Sequence, residues 1–99
     1  MKEIVERLGV PALLEQTAEE CAELNQACLK LSRKIRGENP TPKHTRELKD
    51  NLCEEIADVL LCIDAIIASD DVDVELMNMY YKSKYNRWKN RLNINEKGE

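Results

Sequence analysis

The chain of 99 residues has no phenylalanine, one histidine, one tryptophan and three tyrosines, with three glycines and three prolines. The few aromatics cluster near the C-terminal end, so any core must be built from Leu, Ile and Val. Apolar runs of the roughly 18 residues needed to span a bilayer are missing, which argues against a membrane protein. The first residues, Met1-Lys2-Glu3-Ile4, lack the long apolar stretch of a secretory signal. A reducing, cytoplasmic setting is therefore expected. Excess positive charge is also missing: 15 basic residues face 19 acidic ones, for a net charge of −4. A duplex nucleic-acid binder needs phosphate-neutralising Lys and Arg on one face, so nucleic acid is not an expected partner. Neither G-x-x-x-x-G-K-[ST] nor G-x-G-x-x-G occurs, which removes the common glycine-rich phosphate loops.

What is present is enough apolar sequence, 42%, to form a small core, together with 34% charged residues. This length gives one small domain over residues 1–99 with little surplus stability, and a partner copy of the same chain is the natural supplement. Apolar or small residues recur at Val10, Leu14, Thr17, Cys21, Leu24, Cys28, Leu31 and Ile35, the alternating three-four spacing of a helix stripe. Gly37, preceded by Arg33, Lys34 and Arg36, marks the helix end. Lys2 to Leu8 reads as a short leading helix broken around Gly9 and Pro11, and Pro11 equally suits the first turn of the next helix. A loop over 37–42 precedes a second stripe at Leu48, Leu52, Ile56, Val59, Leu60, Ile63, Ile66 and Ile67, its helix beginning between Thr41 and Thr45. Asp73 reads as the N-cap of a last helix to about Leu92 that packs Val74, Met77, Tyr81, Tyr85, Trp88 and Leu92. Residues 93–99 form a polar tail. The expected fold is all-α: a small bundle of three main helices and a short N-terminal one, completed by oligomerisation into a four-helix-type core. Cys21, Cys28, Cys53 and Cys62 fall within these periodic segments and are expected to pack in the core as small hydrophobes.

Two acidic strings share one form, Glu19-Glu20-Cys21-Ala22-Glu23 and Glu54-Glu55-Ile56-Ala57-Asp58. Spacing of three puts Glu20 with Glu23, and Glu55 with Asp58, on common helix faces beside the apolar stripe. The short connection makes the two long helices antiparallel neighbours, so the mid-helix acids are expected to converge. Two unit charges about 4 Å apart repel by roughly 4 kcal/mol at an effective dielectric near 20, which calls for a cation. All-oxygen ligands without histidine or thiolate favour Mg²⁺ or Mn²⁺, and Mg²⁺ commonly shares carboxylates with substrate phosphates. Competing motifs fit less well. A ferritin-like di-iron site needs Glu-x-x-His on facing helices, whereas His44 lies near the loop and reads as an exposed helix-start residue. Asp71-Val72-Asp73-Val74-Glu75 opens like a calcium loop, but Leu76 and Lys82 occupy the positions of its Gly and final Glu.

Glu-x-x-Glu on one helix followed by Glu-x-x-Asp on the next resembles the all-α nucleoside triphosphate pyrophosphohydrolases of the MazG-like superfamily. The similarity includes the flanking Leu24 and the segment from Leu52 to Leu60, and extends to Lys82-Ser83-Lys84-Tyr85-Asn86-Arg87 on the last helix. It covers roughly Leu13 to Leu92. Residues 24–54, between the two motif halves, are long for that family, and the loop over 37–42 absorbs the difference. The resemblance implies hydrolysis of an NTP or dNTP between its α and β phosphates, giving the monophosphate and pyrophosphate. It assigns Glu20, Glu23, Glu55 and Asp58 to Mg²⁺, which would neutralise phosphate charge and activate a water. Glu19 or Glu54 would serve as general base, Lys82 and Asn86 as nucleotide contacts, and Lys30 and Lys34 as groups in reach of a polyphosphate. Family members are dimers or tetramers. The alternatives are a non-catalytic helical module that binds nucleotide or a protein partner, and an antitoxin-like regulatory protein in which the acid cluster is incidental.

Overall fold

The structure, a computed structural model, describes residues 1–38 and 43–94. Four helices follow one another: α1 (Lys2–Leu8), α2 (Val10–Arg36), α3 (Thr45–Ala68) and α4 (Val74–Arg91). No strand occurs among the described residues. The loop expected over 37–42 is seen at Gly37 and Glu38, and its residues 39–42 lie outside the described residues, as do residues 95–99 of the tail. The chain divides into two compact units, Met1–Ser69 and the segment from Asp70 onward.

In the first unit, α2 and α3 make the principal helix pair, and α1 packs on both. The pair is antiparallel. Leu13, Gln16 and Glu20 near the start of α2 line one cavity with Asp58, Cys62 and Ala65 late in α3. At the other end, Leu31 and Ile35 late in α2 share a cleft with Leu52 early in α3. The buried residues are Leu13, Ala27 and Leu31 on α2 and Leu48, Val59 and Ala65 on α3. Ala27 and Ala65 are small enough to bring the two backbones close.

This seam corrects the expected phase of α2. Its inner row is Leu13, Thr17, Glu20, Leu24, Ala27, Leu31 and Lys34, buried or half-buried throughout. That row shares Thr17, Leu24 and Leu31 with the stripe expected from periodicity and lies one residue before its Leu14, Cys21, Cys28 and Ile35. Leu14, Cys21, Cys28 and Ile35 are exposed, Ile35 by 66%. The cysteines therefore do not form the expected core: Cys21, Cys28 and Cys53 are exposed and Cys62 is half-buried. On α3, Leu48 and Val59 are buried as expected, whereas Ile56, Leu60 and Ile63 are exposed. The cause is the width of the stripes: a helix with one principal neighbour covers a single row and leaves the adjacent row open. One residue turns a helix by about 100°. On antiparallel helices, that step carries both next rows to the same side of the pair. Leu14, Cys21, Cys28 and Ile35 on α2 thus share a face with Cys53, Ile56, Leu60 and Ile63 on α3.

Helix ends explain the breaks. Gly37 adopts a left-handed conformation (φ 74°, ψ 14°), its N–H donates to the carbonyl of Lys34, and Glu38 donates to Arg33. This is the paired closure of a Schellman motif, beside a basic last turn that suits the negative end of the helix dipole. Gly9, at φ 82° and ψ 157°, is in a region essentially restricted to glycine, and it turns α1 against α2 within one residue. In the second unit, Asp73 caps α4 by accepting from the Leu76 N–H at 3.0 Å. The residues expected to pack along α4 are all exposed, Tyr81 by 74% and Trp88 by 65%.

An added Cβ at Gly9 meets nothing within 4 Å, so substitution there strains only the backbone. Gly9→Ala is expected to destabilise the first unit by about 1–3 kcal/mol, measured by chemical denaturation. An unchanged midpoint would show that α1 is not held in this orientation.

Candidate metal centre

The four acids brought together on paper are brought together in space. One carboxylate oxygen each from Glu20, Glu23, Glu55 and Asp58 can be chosen so that all four lie within 4.8 Å of one another. Helical spacing does this: each pair is three residues apart, and each lies in the middle stretch of its helix. The phase of the seam sets their burial. Glu20 and Glu55 occupy the seam row itself and are half-buried, Asp58 is half-buried, and Glu23 is exposed. Glu23 and Asp58, three residues on, are turned away from the apolar rows, so the quartet opens on the opposite side of the helix pair.

The electrostatics match the crowding. Glu20 accepts a hydrogen bond at Oε1 from the Gln16 amide at 2.7 Å. Its other oxygen, Oε2, is buried without a partner, as is Oε2 of Glu55. Partial burial raises the Glu20 carboxyl above the ordinary glutamate value of 4.5, the Gln16 hydrogen bond opposes that shift, and the charges of Glu23 and Asp58 add to it. Glu55 is raised by the same partial burial and by the charges of Glu23, Asp58 and Glu20. Cys62, beside Thr17, has its thiol pushed up chiefly by burial and remains a neutral group next to the acids.

Two unpartnered oxygens, four converging carboxylates and no nitrogen or sulfur in the set match the donors a hard divalent cation takes. The residues fit Mg²⁺ or Mn²⁺. They equally describe a cluster that carries uncompensated repulsion in the cation's absence.

The other expected residues fall into three groups. Glu19 and Glu54 are exposed, each one residue before a seam glutamate and so on the side toward which the quartet opens. Lys30 is exposed on α2, seven residues and hence two turns from Glu23 on the same helix face, while Lys34 lies in the half-buried inner row. Lys82 and Asn86 belong to the second unit, where they line a shallow recess on α4 with Ser83 and Asn90. On the same helix, Lys89 Nζ lies 4.6 Å from the centre of the Tyr85 ring. Gln16 lies outside the acidic strings, although a Gln four residues before a Glu is a recognisable helical hydrogen-bonding pair. Comparison with protein-family models, curated proteins and solved structures returns no match for this chain.

The folded chain binds protons at Glu20 and Glu55 to higher pH than the unfolded chain does. These groups therefore lower stability as pH rises from the ordinary value of 4.5 through their raised values, and the loss persists at neutral pH. In EDTA, Glu20→Gln is expected to melt above the unsubstituted protein at pH 7, and the gap should close near pH 4.5. Lower melting of the variant at both pH values would remove the repulsion from the account.

Proposed function

We propose that this protein is a Mg²⁺-dependent nucleoside triphosphate pyrophosphohydrolase on the MazG-like pattern, cleaving an NTP or dNTP to the monophosphate and pyrophosphate. The observation that carries this reading is the quartet: two carboxylates from each of two antiparallel helices, with their chosen oxygens within 4.8 Å, and two of its glutamates keeping an unpartnered buried oxygen. A cluster of this kind is costly to keep unless a ligand offsets the repulsion.

Glu20, Glu23, Glu55 and Asp58 would hold Mg²⁺, or Mn²⁺ in its place. The bound ion would supply neutralisation of phosphate charge and polarisation of the reacting phosphoryl group. Hydrolysis adds one water across the anhydride. The water oxygen bonds to phosphorus, the bridging bond between the α and β phosphates breaks, and the leaving group departs carrying the bridging oxygen. A carboxylate must take the water's proton. Glu19 and Glu54 are proposed for that task because each is exposed one residue before a seam glutamate, on the side toward which the quartet opens. Lys30, two turns from Glu23 on the same helix face, is the proposed phosphate contact, and Lys82 and Asn86 of the second unit keep the role of nucleotide contacts only as the resemblance assigns it.

The assembly is proposed to be a homodimer or homotetramer. Its support is the open apolar face built by Leu14, Cys21, Cys28 and Ile35 with Cys53, Ile56, Leu60 and Ile63. Two rows in register at helical spacing are what a second helix pair covers in a four-helix bundle. They lie on the side away from the acids, so pairing there leaves the quartet open. Leu60→Glu, at a position 56% exposed in the single chain, is expected to shift the protein to monomer in sedimentation velocity. A wild-type protein that already sediments as a monomer would contradict the assembly.

Activity is tested by incubating the protein with each common NTP and dNTP in millimolar Mg²⁺ and assaying pyrophosphate. Release is expected from at least one of them, with kcat/KM lowered by about 100-fold or more in Glu55→Gln. Equal activity in the variant would sink the residue assignment. No release from any nucleotide, with binding retained, would favour the non-catalytic module.

A further inference from the structure

Resting on the proposed pairing of the open apolar face with a second copy, we propose that Cys21, Cys28 and Cys53 make this face a site of reversible S-thiolation, and that the mixed disulfide holds the chain as a monomer. The three thiols are exposed in the single chain, and all stand on that one face. On α2, Cys21 and Cys28 are the central members of the row that runs from Leu14 to Ile35. On α3, Cys53 opens the row that continues through Ile56, Leu60 and Ile63. Cys62 stands apart, half-buried in the seam row.

Geometry keeps these thiols from pairing with one another inside one chain. Cys21 and Cys28 are seven residues apart, about 10.5 Å along a helix that rises 1.5 Å per residue. Packed helix axes lie about 8–10 Å apart. Rows turned about 100° from the seam bring their Cα atoms no closer across the pair than the axes themselves. A disulfide needs Cα atoms within about 7 Å, so each thiol is left to an external partner. That partner is a low-molecular-weight disulfide of the glutathione class. The cysteine thiolate attacks one of its sulfurs, the S–S bond of the reagent breaks, and a new bond joins that sulfur to the cysteine. The other half leaves as a thiolate and takes up the proton the cysteine gave up. The cysteine sulfur is oxidised and the departing sulfur reduced, and excess thiol runs the exchange backwards.

The added group decides the assembly. A glutathionyl group carries carboxylates and an ammonium, and such charges are costly to bury without partners. The facing rows of a second copy would meet them with Leu and Ile, which offer no counter-charge. Pairing in turn covers the thiols, so modification and assembly compete for one surface. The quartet opens on the opposite side of the helix pair, so the adduct acts on assembly without touching the carboxylates.

The test uses the full chain, reduced with dithiothreitol, freed of it, and then exposed at low protein concentration to oxidised glutathione. Peptide mass spectrometry locates the adduct, circular dichroism checks helicity, and sedimentation velocity over a dilution series gives the dissociation constant of the assembly before and after modification. The adduct is expected on Cys21, Cys28 or Cys53 before Cys62, with helicity kept. The dissociation constant should rise by about 100-fold or more, and dithiothreitol should restore the original assembly. Modification should also slow as protein concentration rises past the dissociation constant of the reduced protein. The inference is overturned by absence of the adduct, by a first adduct on Cys62, by covalently linked copies in its place, or by a modified chain that assembles as tightly as the reduced one. A reduced chain that is monomeric throughout overturns the assembly reading itself, a result read before any disulfide is added.

Discussion

Carboxylate repulsion across the α2–α3 seam is the constraint around which the first unit is arranged. Glu20 and Glu55 stand in the row that elsewhere holds Leu13, Ala27, Leu31, Leu48 and Val59, and each keeps one buried oxygen without a partner. Burial first, and the neighbouring carboxylate charges after it, raise both of their pKa values. A fold that wanted only stability would place leucine at both positions. The aliphatic contacts on either side of the acids, at the Leu13 and Ala65 end and at the Leu31 and Leu48 end, hold the helices together against the repulsion. Gln16 offsets part of it by donating to Glu20. Stability and the acid cluster are thus in opposition within one seam.

From the same seam the two faces of the pair follow. One residue forward along either helix leads to exposed Leu, Ile and Cys; three forward, or one back, leads to Glu23, Asp58, Glu19 and Glu54. Antiparallel packing puts the like faces together, so the apolar and acidic sides are separated without any special device. Part of the acid behind the net charge of −4 is therefore gathered on one side of the pair. α1, turned by Gly9, lies over the start of the acidic side and closes a chamber there. The second unit carries a different balance, with Lys82, Lys84, Arg87, Lys89 and Arg91 along α4.

Much of this was legible in the sequence because helical periodicity is strict. The breaks at Gly9 and Gly37, the start of α4 after Asp73, and the convergence of Glu20, Glu23, Glu55 and Asp58 all follow from spacings of three, four and seven. The phase of α2 did not. Two neighbouring rows compete on that helix, and the more apolar one, through Leu14, Cys21, Cys28 and Ile35, is the row a composition-based reading selects. The structure packs the other row against α3, because Ala27 permits close approach and Thr17 and Leu24 serve both. Spacing along one helix does not say which of two adjacent rows meets which neighbour. For the same reason the cysteines were assigned to a core they do not enter, and the α1 chamber, which depends on the backbone angles at Gly9, had no signal in residue type beyond the glycine itself.

The central claim is that the quartet is a divalent-cation site. Titrating Mn²⁺ into the metal-free protein at neutral pH, and following the free ion by electron paramagnetic resonance, tests it most directly. The account predicts saturable binding that Mg²⁺ displaces, and its loss in Glu20→Gln and in Glu55→Gln. A free-ion signal that tracks added Mn²⁺ from the first addition, or binding that survives both substitutions, would contradict it.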